Sequence, residues 1–173
     1  NAATSGAAME DSSELGIQEQ GAATLAELVQ GNALLQAAVL KEGGAKPLLH
    51  LVKSGSAVAQ EHASRAILYL CATIANQRKL IEHSVLDDVI AACKLGGPIL
   101  QEHAAGVLAE LAKGADAAKR HALMSNLTPE DRLASITAAG AVAPLISLLG
   151  NGSPHAKEGA ARALYHLSAD SAS

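Results

Sequence analysis

One eleven-residue stretch, written four times, constrains this chain more than any other feature. Its fullest copy is Gln60-Glu61-His62-Ala63-Ser64-Arg65-Ala66-Ile67-Leu68-Tyr69-Leu70, and the others run from Gln18 to Leu28, Gln101 to Leu111 and Lys157 to Leu167. In every copy a glutamate (Glu19, Glu61, Glu102, Glu158) stands at one fixed offset before a closing leucine (Leu28, Leu70, Leu111, Leu167). The steps from Glu19 to Glu61 and from Glu61 to Glu102 are nearly equal, and the step from Glu102 to Glu158 is longer. A period of about 40 is the mark of a helical-repeat array, in which each unit packs mainly on its neighbours. The longer third step holds the same unit plus about one extra helix. A second marker agrees: Pro47, Asp88 and Pro144 each precede their unit's glutamate by an identical offset.

Turn chemistry divides the second unit into three helices. Asn32 is placed to cap a helix reaching about Lys41, and Gly43-Gly44 breaks it. Pro47 sits near the start of the next helix, where no needed amide donor is lost. Ser56 caps a third, long helix expected to reach about Ala75. The third unit is read from Asn76, with helices over Gln77–Glu82 and about Asp87–Leu95, and Gly96-Gly97-Pro98 opening the third. Between Leu111 and Arg132 lies the insertion: a modest helix over Ala115–Ser125, then Thr128-Pro129-Glu130-Asp131 starting another. The expected division is a tail or upstream remnant at 1–13, then a helical-repeat array over 14–173. Its units fall at about 14–31, 32–75, 76–115 and 116–170, with the insertion near 113–128. Ala63, Ile67 and Leu70 fall at i, i+4 and i+7, one face of a helix, as do Ala104, Leu108, Leu111 and Ala160, Leu164, Leu167. These form the expected core, at about 1.5–3 kcal/mol for each fully buried Leu or Ile.

Composition narrows the function. The chain has no Phe, no Trp and only two Tyr, which suits closely stacked helices and leaves no aromatic-rich pocket. A net charge of −4, with no basic run longer than Lys119-Arg120, argues against nucleic acid as a partner. No apolar run approaches the roughly 20 residues that span a bilayer, so no direct membrane insertion is expected. The chain opens on Asn1 rather than Met and reads as a processed form or a fragment. The expected compartment is intracellular, cytoplasmic by default. Cys71 and Cys93 stand far apart, outside any C-x-x-C pair, and read as buried free thiols.

The three-helix unit resembles the armadillo repeat. The likeness rests on Gly44-Ala45-Lys46-Pro47-Leu48-Leu49 and Gly140-Ala141-Val142-Ala143-Pro144-Leu145, which open second helices. It rests also on Glu102-His103-Ala104-Ala105 with Leu108 and Leu111, and on Glu158-Gly159-Ala160-Ala161 with Leu164 and Leu167. It covers about residues 14 to 169 and implies an all-α, right-handed solenoid of about three and a half armadillo repeats. It also implies that third helices line a concave groove. In the family's nuclear-import adaptors that groove carries a Trp and an Asn four residues apart, gripping basic peptides. The matching Trp positions here are Ala23, Arg65, Gly106 and Arg162, and the Asn positions Glu27, Tyr69, Glu110 and His166. Neither residue type is kept, so the chain is more similar to the scaffold branch, with its catenin-type and vacuolar adaptors. The eight positions remain the candidate partner-binding groove, its mixed charge suited to an extended or helical peptide.

Nothing in the sequence carries catalysis. There is no G-x-S-x-G, P-loop, G-x-G-x-x-G or H-E-x-x-H motif. His62 and His103 are equivalents in adjacent units, and repeat spacing sets such residues about 10 Å from each other, too far to share a zinc ion. They read as surface histidines; no metal and no cofactor is expected. Lys119 and Arg120 are candidate contacts in the insertion. The expected function is therefore a non-catalytic scaffold whose partner is another protein, either a peptide segment or neighbouring subunits. Two alternatives stand beside it. One is a fixed subunit of a large, possibly membrane-associated assembly, suggested by the mean hydropathy of +0.19 and the lack of polar capping helices. The other is a helical-repeat lyase or chromophore-binding protein.

Overall fold

A computed structural model describes the backbone of residues 2–119 and 129–168 and the side chains of 13–113 and 133–168. Among the described residues the chain is ten helices with no strand: α1 (Ala2–Val29), α2 (Ala33–Lys41), α3 (Ala45–Ser54), α4 (Ala57–Leu70), α5 (Ile74–Glu82), α6 (Val85–Leu95), α7 (Pro98–Lys119), α8 (Pro129–Ala138), α9 (Val142–Asn151) and α10 (Pro154–Ser168). The repeated stretch lies on α1, α4, α7 and α10, which pack one against the next in chain order. A second row, α3, α6 and α9, stacks alongside it, and α2 packs on α5.

Helix starts follow the turn chemistry. Asn32 and Ser56 accept at their side-chain oxygens from the amides of Leu35 and Ala59, 3.1 and 3.2 Å away, each satisfying an orphan donor of the first turn. Pro98, Pro129 and Pro154 are the first residues of α7, α8 and α10, where a missing amide costs nothing. The turn between first and second helices needs one residue with positive φ. Gly43 (φ 79°) and Gly140 (φ 82°) supply it in the second and fourth units, and Ser84 (φ 60°) occupies the same register in the third.

Two expected boundaries are corrected. The long helix of the second unit ends at Leu70 rather than near Ala75, because Thr73 turns extended and caps α5 by accepting from the Asn76 amide at 3.2 Å. In the insertion, α7 runs unbroken through Lys119, so no separate helix begins at Ala115. The rest of that expected helix, 120–125, lies outside the described residues. Towards the N-terminus, α1 continues the first copy's helix from Glu14 back to Ala2.

The expected core faces inward. Ala63, Ile67, Leu70, Ala104, Leu108, Leu111 and Ala160 are buried, and Leu164 and Leu167 pack half-buried against them. Leu28 breaks the pattern, lying half exposed while its neighbour Val29 is buried. Cys71 and Cys93 are both buried free thiols, and burial pushes the Cys93 thiol up to about 12, so neither is a nucleophile near neutral pH.

Candidate functional site

The repeated glutamate is a joint between units. Glu19 of α1 accepts from the Ser56 hydroxyl at the start of α4 (2.5 Å), and Glu102 of α7 accepts from Ser153 at the start of α10 (2.6 Å). Each serine meanwhile caps its own helix, since Ser153 accepts from the Ala156 amide at 3.1 Å. The same register places Gly97 at the start of α7, so Glu61 meets no hydroxyl there. A second device, unforeseen from sequence, is a buried glutamine. Gln36 donates its side-chain amide to the Val29 carbonyl at 2.8 Å, and Gln77 does the same to Cys71 at 2.8 Å and to Glu110 at 3.1 Å. The Val29 and Cys71 carbonyls are ones left open where a third helix ends, whereas Glu110 lies within α7, so Gln77 also ties α5 to the third helix of its own unit. The signal is present in the sequence, because Gln36 and Gln77 stand one repeat period apart, as His62 and His103 do.

These joints hold the third helices side by side and fix where the eight candidate groove residues sit. Ala23, Arg65, Tyr69, Glu110 and His166 are half-buried, and Glu27 and Arg162 are exposed. Gly106 differs: it is buried, and a Cβ there would stand 3.2 Å from Leu68, so it lets α7 approach α4 and offers no side chain to a partner. The structure brings Glu110 and Arg162 together across α7 and α10 at 3.8 Å, with Lys113 at 3.7 Å from the same carboxylate. Arg65 reaches back along α4 to His62, its Nη2 2.9 Å from Nδ1. Tyr165, not singled out from sequence, is exposed and meets the His166 ring edge-on at 5.3 Å. The row is therefore partly exposed, of both charges, and tied at intervals by its own ion pairs.

His62 and His103 take different partners, Arg65 and Ser64. His103 crosses to α4, where its Nδ1 lies 2.8 Å from the Ser64 hydroxyl, and burial holds it below the ordinary histidine range. It is a joint residue rather than the surface histidine expected. Among the described residues no three His, Cys, Asp or Glu side chains converge as a metal site would need. Lys119 and Arg120 lie outside the residues whose side chains are described.

Residues 128–169 match the family model for the armadillo/beta-catenin-like repeat. Solved structures share the chain's fold over most of its length. A crystallised engineered protein superposes with a TM-score of 0.74 at 23% identity, over 89% of this chain and 57% of its own. The chain has the fold of an armadillo-repeat solenoid. Computationally designed armadillo repeat proteins for modular peptide recognition superpose at 0.71 with 21% identity, over 85% of this chain and 56% of theirs. A designed armadillo repeat protein in complex with the peptide (KR)4 superposes at 0.70 with 20% identity, over 85% and 56%. The chain thus spans a little over half the length of these structures. Among curated proteins no match was found. No helix among the described residues is long and apolar enough to cross a membrane.

Proposed function

We propose that this armadillo solenoid is a non-catalytic scaffold of the adaptor kind, holding an extended or helical segment of another protein along the row of α1, α4, α7 and α10. One observation supports the reading: Arg65, Tyr69, Glu110, Arg162 and His166 stand at matching positions of successive third helices, and none of them is fully buried. Stacked units give such a row a regular spacing, which suits a peptide whose side chains also recur at fixed spacing. Designed armadillo proteins of the same fold bind peptides, one of them basic. Here Arg65 and Arg162 stand among the acids Glu27 and Glu110, so a peptide carrying both charges fits better than a purely basic one. The division into units at about 14–31, 32–75, 76–115 and 116–170 belongs to the same proposal.

The test is selection of peptides from a displayed random library against residues 1–173, followed by titration of the selected peptides. Arg65→Ala and Tyr69→Ala are each expected to weaken binding about tenfold, the loss typical of a residue at the centre of an interface. Selected peptides that bind both variants as tightly as the parent chain would sink the groove reading.

A further inference from the structure

Two clefts lie beside joints of the array, and they are built at one register. Val52, Lys53 and Gln60 of the second unit line a cleft of about 370 Å³ against Ala91, Ala92 and Leu95 of the third. Their equivalents Cys93, Lys94 and Gln101 line one of about 190 Å³ against Ser147, Leu148 and Asn151 of the fourth. The larger cleft runs on to Gly96, Gly97 and Leu100 at the start of α7. The smaller one stops short of that register, where Ser153, the equivalent of Gly97, holds its hydroxyl 2.6 Å from Glu102. Ser56 does the same for Glu19. Glu61 stands in the register of Glu19 and Glu102, but a Cβ placed on its Gly97 would meet nothing within 4 Å. The molecule's own serines thus show what this end of the cleft is shaped to hold. Its floor is apolar, since Val52, Ala92 and Leu100 also wall a small recess among Ile67, Val89 and Val107. Its rim is apolar too: Leu95 is 87% exposed and Ile99, on the first turn of α7, 45%. The equivalents of Leu95 in the second and fourth units are the polar Ser54 and Asn151.

We propose that the cleft between the second and third units takes the side chain of a serine or threonine from an extended segment of a partner protein. The hydroxyl donates to Glu61, as Ser56 and Ser153 donate to Glu19 and Glu102. It accepts from the Leu100 amide, as those serines accept from Ala59 and Ala156. Aliphatic residues flanking it cover Leu95 and Ile99, which a molecule small enough to fit within the cleft would leave in water. Lys53 and Asp88 at the mouth neutralise one another at 2.7 Å, so an uncharged segment fits better than a basic or an acidic one. The cleft shares no residue with the third-helix groove and does not rest on that reading.

The test uses Gly97→Ser, which supplies the hydroxyl from the chain itself and so competes with the partner's. A displayed random peptide library is depleted on the Gly97→Ser chain and then selected on the full parent chain. The surviving peptides are expected to carry Ser or Thr between aliphatic residues and to bind the parent at least about tenfold more tightly than the variant. Alanine in place of that Ser or Thr should cost a similar factor, as should Leu95→Asp at its exposed position, whereas Arg65→Ala should leave affinity unchanged. Urea unfolding no weaker in Gly97→Ser than in the parent separates lost binding from lost fold. A library that yields no peptide able to tell the two chains apart would overturn the proposal. Discriminating peptides without Ser or Thr would do so as well, and so would peptides weakened by Arg65→Ala, which would lie in the groove instead. If 1-butanol, and no peptide, saturably shifted the Leu100 amide resonance in the parent but not in Gly97→Ser, the occupant would be a small alcohol and the proposal would fail.

Discussion

The joint between the second and third units and the joint between the third and fourth use the same positions for opposite chemistry. At the first, Ser64 and His103 meet through a hydrogen bond of 2.8 Å, Lys53 pairs with Asp88 at 2.7 Å, and Gly97 leaves Glu61 without the hydroxyl its equivalents receive. At the second, the equivalents of Ser64 and His103 are Ala105 and Gly159, so close that a Cβ on Gly159 would stand 3.0 Å from the Ala105 Cβ. Asp88 becomes Pro144, and Gly97 becomes Ser153, which bonds Glu102 at 2.6 Å. The open clefts beside the two joints differ accordingly, about 370 Å³ against about 190 Å³. One repeat thus tolerates either a wide polar contact or a tight small-residue contact, because what must be kept between units is helix position rather than side-chain identity.

The harshest way to break this comparison is to put bulk into the tight joint. Gly159→Leu would drive its Cβ into Ala105 and the Gly106 amide at 3.2 Å, atoms of backbone that cannot step aside. A loss of about 3 kcal/mol is expected in urea unfolding, the upper end for overpacking a filled core. The matched change in the wide joint, His103→Leu, is expected to lose only about 1 kcal/mol, one hydrogen bond's worth. Equal losses at the two positions would show that the joints are not different in kind. In the opposite direction, Gly97→Ser restores the missing hydroxyl. Nothing lies within 4 Å of the added Cβ, so the serine can cap α7 and donate to Glu61 without strain. A gain of about 1.5 kcal/mol is expected, the size of a hydrogen bond to a charged group, with slower exchange of the first turns of α7.

How far the sequence carries the structure follows from the same pattern. A helix that must bury one face on both neighbours writes that face at fixed spacing, so the repeats, the core of α4 and α7, and the Asn32 and Ser56 caps are all legible. The end of α4 is not: propensity allows the helix to run on, and the Thr73 cap that stops it resembles any surface threonine. His103 misleads for a related reason. Its equivalence to His62 suggests a shared surface role, whereas its partner is set by Ser64 on another helix. Gly106 and Gly159 are similarly opaque, since a glycine inside a helix shows its purpose only when the neighbouring backbone is in place. The groove candidates are placed by register alone, and register does not say that Gly106 is covered.

Smaller changes sharpen the polar joint. Ser64→Ala removes the partner of His103 and is expected to lose about 1 kcal/mol in urea unfolding, while Ala105→Gly at the matched position loses a fully buried methyl as well as helix propensity and is expected to cost about 1–2 kcal/mol.

The smallest effect expected is a pH dependence confined to the wide joint. Burial lowers the His103 pKa first of all, opposed by the carboxylates of Glu61 and Glu102 and reinforced by the Arg65 guanidinium. The folded state therefore takes up the proton at lower pH than the unfolded chain does, and below the ordinary histidine range the unfolded state binds more protons. The stability His103 contributes is then present above its unfolded pKa of about 6.5 and is lost as pH falls through the depressed folded value. The serine hydroxyl accepts from the Nδ1 proton in either charge state while donating to the Glu61 carbonyl at 2.9 Å, so the penalty is one of burying charge rather than of breaking the bond. Urea unfolding at pH 7.5 and pH 5.5 should show the parent chain losing more stability on acidification than His103→Asn, which keeps a polar group and removes the proton site. An identical loss in both chains would mean that the imidazole is as well solvated folded as unfolded, and that the joint is wetter than its geometry implies.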